Sequence, residues 1–85
     1  MQNQQLFLTV TNRDTTIFSG EVLSVSSEND SGKFDILPEH ANFITLVRGM
    51  LKVELPTGEF TEVPIPDGIL KVEGGIIEVF LGVKY

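Results

Sequence analysis

Eighty-five residues make one domain and are too few for two, and roughly 60% of the surface of a chain this size can be buried on folding. At 41% hydrophobic and 21% charged, the composition excludes a disordered or fibrous chain. Twelve acidic against six basic side chains leave a net charge of −6, and the basic residues are scattered singly, which excludes a phosphate-neutralising nucleic-acid binder.

The chain divides at its turn-forming residues into short pieces. Residues 5–11 (QLFLTVT) are β-branched and aromatic and end at the turn-former cluster Asn12-Arg13-Asp14. Residues 15–19 lead into Gly20, where a sharp corner at positive φ is expected, and residues 21–27 follow with Val22, Leu23 and Val25 among serines. Residues 28–32 (ENDSG) are the richest turn sequence, and 33–37 read as a brief strand that Pro38 stops.

Beyond the loop at residues 38–40, residues 43–47 are apolar and run to Arg48-Gly49. Residues 50–55 set Leu51, Val53 and Leu55 on one face and Lys52 and Glu54 on the other. Pro56-Thr57-Gly58 reads as a hairpin turn, residues 59–65 as the return strand, and Pro66-Asp67-Gly68 as another turn. Residues 69–73 and 76–83 flank Gly74-Gly75, a two-residue hairpin signal. The expectation is an all-β domain over residues 1–85, a small antiparallel β-sandwich or flattened barrel of about eight to ten short strands.

Few residues point to chemistry. With no cysteine there are no disulfides, thiolate metal sites or cysteine nucleophiles. His40 is the single histidine and there is no G-x-S-x-G elbow, so a nucleophilic triad is not expected. Carboxylates such as Glu54, Glu73 and Glu78 fall on the polar side of alternating strands and read as solvated faces. A calcium loop counted from Glu28 puts Lys33 at the sixth position, where the turn demands glycine. Gly74-Gly75 joins two strands, whereas phosphate cradles open onto a helix. Neither catalytic residues nor a cofactor, metal or small-molecule ligand is expected. The N-terminus lacks the pattern of a signal peptide, and no apolar run approaches the ~20 residues of a membrane-spanning helix, so direct membrane insertion is not expected either.

Three segments in order resemble the N-terminal β-sandwich of the epsilon subunit of rotary F-type ATP synthases. Phe18-Ser19-Gly20-Glu21-Val22 is similar to that family's F-x-G-x-V block. Gly32-Lys33-Phe34-Asp35-Ile36-Leu37-Pro38-Glu39-His40-Ala41 resembles its G-x-x-G-I-L-P-G-H-A signature, with Thr45 and Gly49 at positions where threonine and glycine are usual. Asp67-Gly68-Ile69-Leu70-Lys71-Val72 is similar to G-G-x-x-E-V before the final strands. Asp35, Glu39 and Asp67 stand where glycines are usual, and Lys71 where a glutamate is. Asp35 and Asp67 are expected to keep positive-φ turns, which aspartate tolerates better than most residues.

The resemblance implies a non-catalytic rotor subunit of the central stalk, coupling the gamma subunit to the c ring during ion-driven ATP synthesis. It implies a peripheral position on the cytoplasmic face of an energy-transducing membrane, with a bacterial plasma membrane as the expected one. By position in the family pattern, Ser31, Gly32, Lys33, Glu39 and His40 face the c ring, and Phe43, Ile44 and Met50 face gamma. Phe43 and Met50 also suit plain core packing, Lys33 a solvated turn, and His40 a loop imidazole that fixes a turn. Family members carry a C-terminal helical pair that can inhibit hydrolysis and in some members binds ATP. This chain ends at Tyr85, as a short form or a truncation, so neither property is expected of it. A free-standing protein-binding sandwich and a small enzyme are the alternative readings; the first needs an open edge strand or concave pocket, the second a polar cleft.

Overall fold

A computed structural model of the chain describes residues 6–37 and 42–82. Seven strands follow one another: β1 (Leu6–Asn12), β2 (Thr15–Val22), β3 (Ser24–Asn29), β4 (Gly32–Ile36), β5 (Phe43–Glu54), β6 (Phe60–Glu73) and β7 (Ile76–Leu81). They form one sheet in the order β2-β1-β7-β6-β5-β3-β4. The sheet folds over along its two longest strands. The second half of β6 pairs with β7 and the first half of β5, while the second half of β5 carries β3.

The two layers meet in a single core. In β1, Leu6, Leu8 and Val10 point inward between Phe7, Thr9 and Thr11, the period-2 alternation of a strand with one wet face. Ile77, Val79 and Leu81 of β7 extend that layer, and Val25, Ile36, Leu51 and Val53 close it from the other side. Burying each of these aliphatic side chains contributes about 1.5–3 kcal/mol.

Among the described residues the strands number seven, against about eight to ten expected, because two expected breaks are continuous strand. Residues 43–47 and 50–54 join as β5, and residues 60–65 and 69–73 join as β6. Pro66-Asp67-Gly68 is therefore not a turn. Val47 pairs with Gly68 and Gly49 with Ile65, so Pro66 and Asp67 together face Arg48 across a bulge. The bulge moves the inward set of β6 from odd residues (Val63, Ile65) to even ones (Gly68, Leu70, Val72), which lets one strand serve both layers. Residues 60–65 have β5 on one side and no strand partner on the other among the described residues. Pro64 and the bulged Pro66 lie along that edge, where a missing N–H removes no ladder bond.

One pairing departs from the antiparallel expectation. β1 runs parallel to β7, from Phe7 beside Ile76 to Asn12 beside Leu81. A parallel partner cannot come from a hairpin, so it must return from far along the chain.

The backbone also corrects three glycine-based expectations. Arg13, at φ 57 in the β1–β2 turn, is the one non-glycine residue at positive φ among those described. Asp35 and Asp67 thus need no left-handed conformation. Gly20 has no positive φ either: it pairs with Leu8 inside β2, and a Cβ there meets only Phe18 Cε1 at 4.0 Å. The expected Gly20 corner is an ordinary strand position. Gly20→Ala should raise stability by up to about 1 kcal/mol, by restricting the unfolded chain, with an unchanged m-value in urea. Gly68, by contrast, leaves no room for a side chain, since its Cβ falls 2.8 Å from Leu81 Cδ2 and 3.1 Å from the Phe80 carbonyl oxygen.

Candidate docking surface

The β3–β4 hairpin carries the first group of expected contacts. Asn29 pairs with Gly32, leaving Asp30 and Ser31 as the two-residue loop, and Gly32 takes φ 118, which a side chain would strain. Asn29 Oδ1 accepts a hydrogen bond from the Ser31 N–H at 2.8 Å and fixes the turn. Lys33 stands next, exposed and paired across the hairpin with exposed Glu28. An exposed ion pair between Asp30 and Arg48, at 3.4 Å, links the loop to the β5 residue that faces the β6 bulge. Glu39 and His40, the other expected c-ring contacts, lie outside the described residues.

The second group does not stay together. Phe43 is half-buried against the core, its ring 6.1 Å from that of Phe34 in an edge-to-face contact, so the structure gives it the packing role. Ile44 is 67% exposed. Met50 is exposed too, but six residues further along β5 and beyond the bulge, about 20 Å away in extended chain. It lines a shallow depression with Lys33, Ser26, Lys52 and Glu62. The family resemblance put Met50 with Ile44 on the gamma-facing side; the structure brings it beside Lys33.

Around Ile44 there are apolar neighbours that the sequence reading missed. Leu46 pairs with Ile69, and Ile69 with Phe80, so three strands set an apolar row on one outer face. Leu46 and Phe80 remain 46% and 36% exposed. The signal was present: Ile44 and Leu46 alternate with the inward Phe43, Thr45 and Val47. The opposite layer is polar on its outer side. Glu62, Lys52, Ser26 and Asp35 lie across it in register, with Ser26 Oγ donating to Asp35 Oδ1 at 2.6 Å and Lys52 Nζ 4.7 Å from the centre of the Phe60 ring. Among the described residues no three His, Asp or Glu side chains converge as metal ligands do, and no helix is long and apolar enough to cross a membrane.

Fold and surface together define a small β-sandwich whose distinctive features are an apolar row and a charged hairpin joined by a bulged strand. The chain belongs to the family of the ATP synthase delta/epsilon chain β-sandwich domain, whose profile matches residues 5–82. It is similar to an ATP synthase epsilon chain of a Nitratiruptor species, 34% identical over 68 residues, covering 79% of this chain and 53% of that one. The chain thus spans about half the length of this curated relative. Among solved structures, its fold is like a chain in the OSCP/F1/c-ring assembly of Euglena gracilis mitochondrial ATP synthase, with TM-score 0.86 and 23% identity over 93% of this chain and 51% of that one. It is also like a chain in the central stalk and c-ring of Tetrahymena thermophila mitochondrial ATP synthase, with TM-score 0.73 and 11% identity over 95% and 66% of the two chains. The family resemblance read from the three sequence segments is the correct one.

Proposed function

We propose that this sandwich is a non-catalytic rotor element of an F-type ATP synthase, docked between the gamma subunit and the c ring so that ion-driven rotation reaches the catalytic head. The observation that carries this reading is the family match over residues 5–82. The fold supports it mechanically. A close-packed two-layer body whose long strands β5 and β6 run through both layers transmits force without storing it in a hinge.

In this reading the Ser31-Gly32-Lys33 turn, with Glu39 and His40, faces the c ring. Ile44 lies against gamma, with Phe43 supporting it from beneath, while Met50, on the outer side of the other layer beside Lys33, falls outside that contact. The element is peripheral to the membrane and faces the cytoplasm. Capture from solubilised membranes of the source organism, with this chain tagged at its C-terminus, tests the assignment. Gamma, the c ring and the catalytic subunits should be recovered together in near-equal amounts. Recovery of an unrelated partner, or of none, overturns it.

Lys33→Glu checks the hairpin's part. The side chain is exposed, so the melting temperature should hold within about 2 °C, as surface changes do. Docking on the c ring should weaken about three- to tenfold, more at low salt than at high salt. Unchanged coupling of hydrolysis to ion pumping counts against this role.

A further inference from the structure

The ladder between β3 and β5 spans only Ser24–Ser26, against Lys52–Glu54. Beyond it, around the bulge opposite Arg48, side-chain bonds join β3 to β5. Ser27 Oγ donates to the Met50 carbonyl at 3.2 Å. A chain of three bonds then runs outward: the Ser31 N–H donates to Asn29 Oδ1 at 2.8 Å, Asn29 Nδ2 to Thr45 Oγ1 at 3.0 Å, and Thr45 Oγ1 to the Leu46 carbonyl at 3.2 Å.

The direction of this chain is set by its ends. A backbone N–H can only donate, so the amide oxygen of Asn29 must face Ser31 and its NH₂ group must face Thr45. The threonine hydroxyl spends its one proton on Leu46 and accepts from Asn29 with a lone pair. One amide thus touches the hairpin that presents Lys33, and its other end touches the strand that presents Ile44 and Leu46. The neighbouring Asp30–Arg48 pair spans the same gap, but its side chains are 87% and 65% exposed and such pairs hold little.

We propose that Asn29 is a positioning residue, relaying the conformation of the β3–β4 turn to residues 44–46 so that the charged hairpin and the apolar row are presented to their partners at one fixed spacing. This rests on the docking assignment above. Two surfaces that engage together bind more tightly when neither has to be ordered on contact.

The test pairs amide exchange of Ser31, followed by NMR on the free chain, with capture by a gamma–c-ring subcomplex. Asn29→Ala should speed Ser31 exchange and weaken capture, each about tenfold, with most of the melting temperature retained. Asn29→Asp should recover most of both, because its carboxylate still accepts from Ser31 and accepts from a reoriented Thr45 hydroxyl. Thr45→Val leaves the turn's own bond intact and cuts only the link to β5. Faster Ser31 exchange in that variant shows transmission across the gap, and unchanged exchange overturns the relay. Equal capture of wild type and Asn29→Ala overturns the positioning role even where exchange changes. A wild-type chain that is not captured at all removes the docking assignment alone, and the Thr45→Val exchange then decides the relay.

Discussion

Replacing Gly68 with valine should cost about 3 kcal/mol, the upper end of what forced overpacking of a core does. Gly68 sits in the middle of the sheet, paired with Val47 on one side and Leu81 on the other. A Cβ at this position falls 2.8 Å from Leu81 Cδ2, which could swing aside, and 3.1 Å from the Phe80 carbonyl oxygen, which cannot move without breaking the ladder. A valine adds two methyls to that conflict at the residue where β6 changes its inward face. For a domain of this size the loss corresponds to a fall of roughly 12–24 °C in melting temperature, out of a total stability on the order of 4–13 kcal/mol. Calorimetry decides it. A melting temperature within a few degrees of wild type means that the β6–β7 contact opens more readily than its geometry indicates.

The second large effect is on binding. Ile44→Asp places a charge at one end of the apolar row, at a side chain that is 67% exposed and contributes little to the core. Stability should change by less than ~0.5 kcal/mol. Affinity for gamma should fall roughly thirtyfold or more, the ~2 kcal/mol scale of a buried anchor at an interface centre. Phe80→Asp, at the far end of the row, separates the alternatives. If both changes weaken gamma binding, the row acts as one surface; if neither does, gamma docks elsewhere.

How much of this was legible in the sequence depends on the range of the interaction. The strands themselves were, because Leu6, Leu8 and Val10, or Leu51 and Val53, alternate with polar or exposed neighbours over a span that one strand covers. Hairpins at Asn12–Thr15, Asn29–Gly32 and Gly74-Gly75 followed from local turn chemistry. Pro66-Asp67-Gly68 carried the same local signal and misled, since nothing in those three residues tells a turn from a bulge. The distinction lies in Arg48, 18 residues earlier on the partner strand.

The same holds for the surface. Lys33 was legible as a residue at the start of a short strand after a turn, which is where it lies, whereas Ile44 was named only through the family resemblance. Leu46, Ile69 and Phe80 form a row only through the register of three strands, and Asn29 meets Thr45 only because β3 leaves its ladder at Ser26. Gly20 and Gly68 were both read as turn glycines, but the structure uses one as a passive strand residue and the other for its missing Cβ.

The parallel pairing of β1 with β7 has a consequence for synthesis. Leu8 and Val10 are completed by Ile77 and Val79, which the ribosome adds about 70 residues later. At bacterial or eukaryotic elongation rates of roughly 5–20 residues per second, the β1–β2 hairpin waits several seconds with one long side unpaired and its apolar face wet. No earlier stretch of nascent chain supplies that partner, so the domain closes only after its last strand has left the tunnel. Until then it is a client for whatever factor shields emerging chains, and a stop codon anywhere before Ile76 yields a product that cannot complete its core.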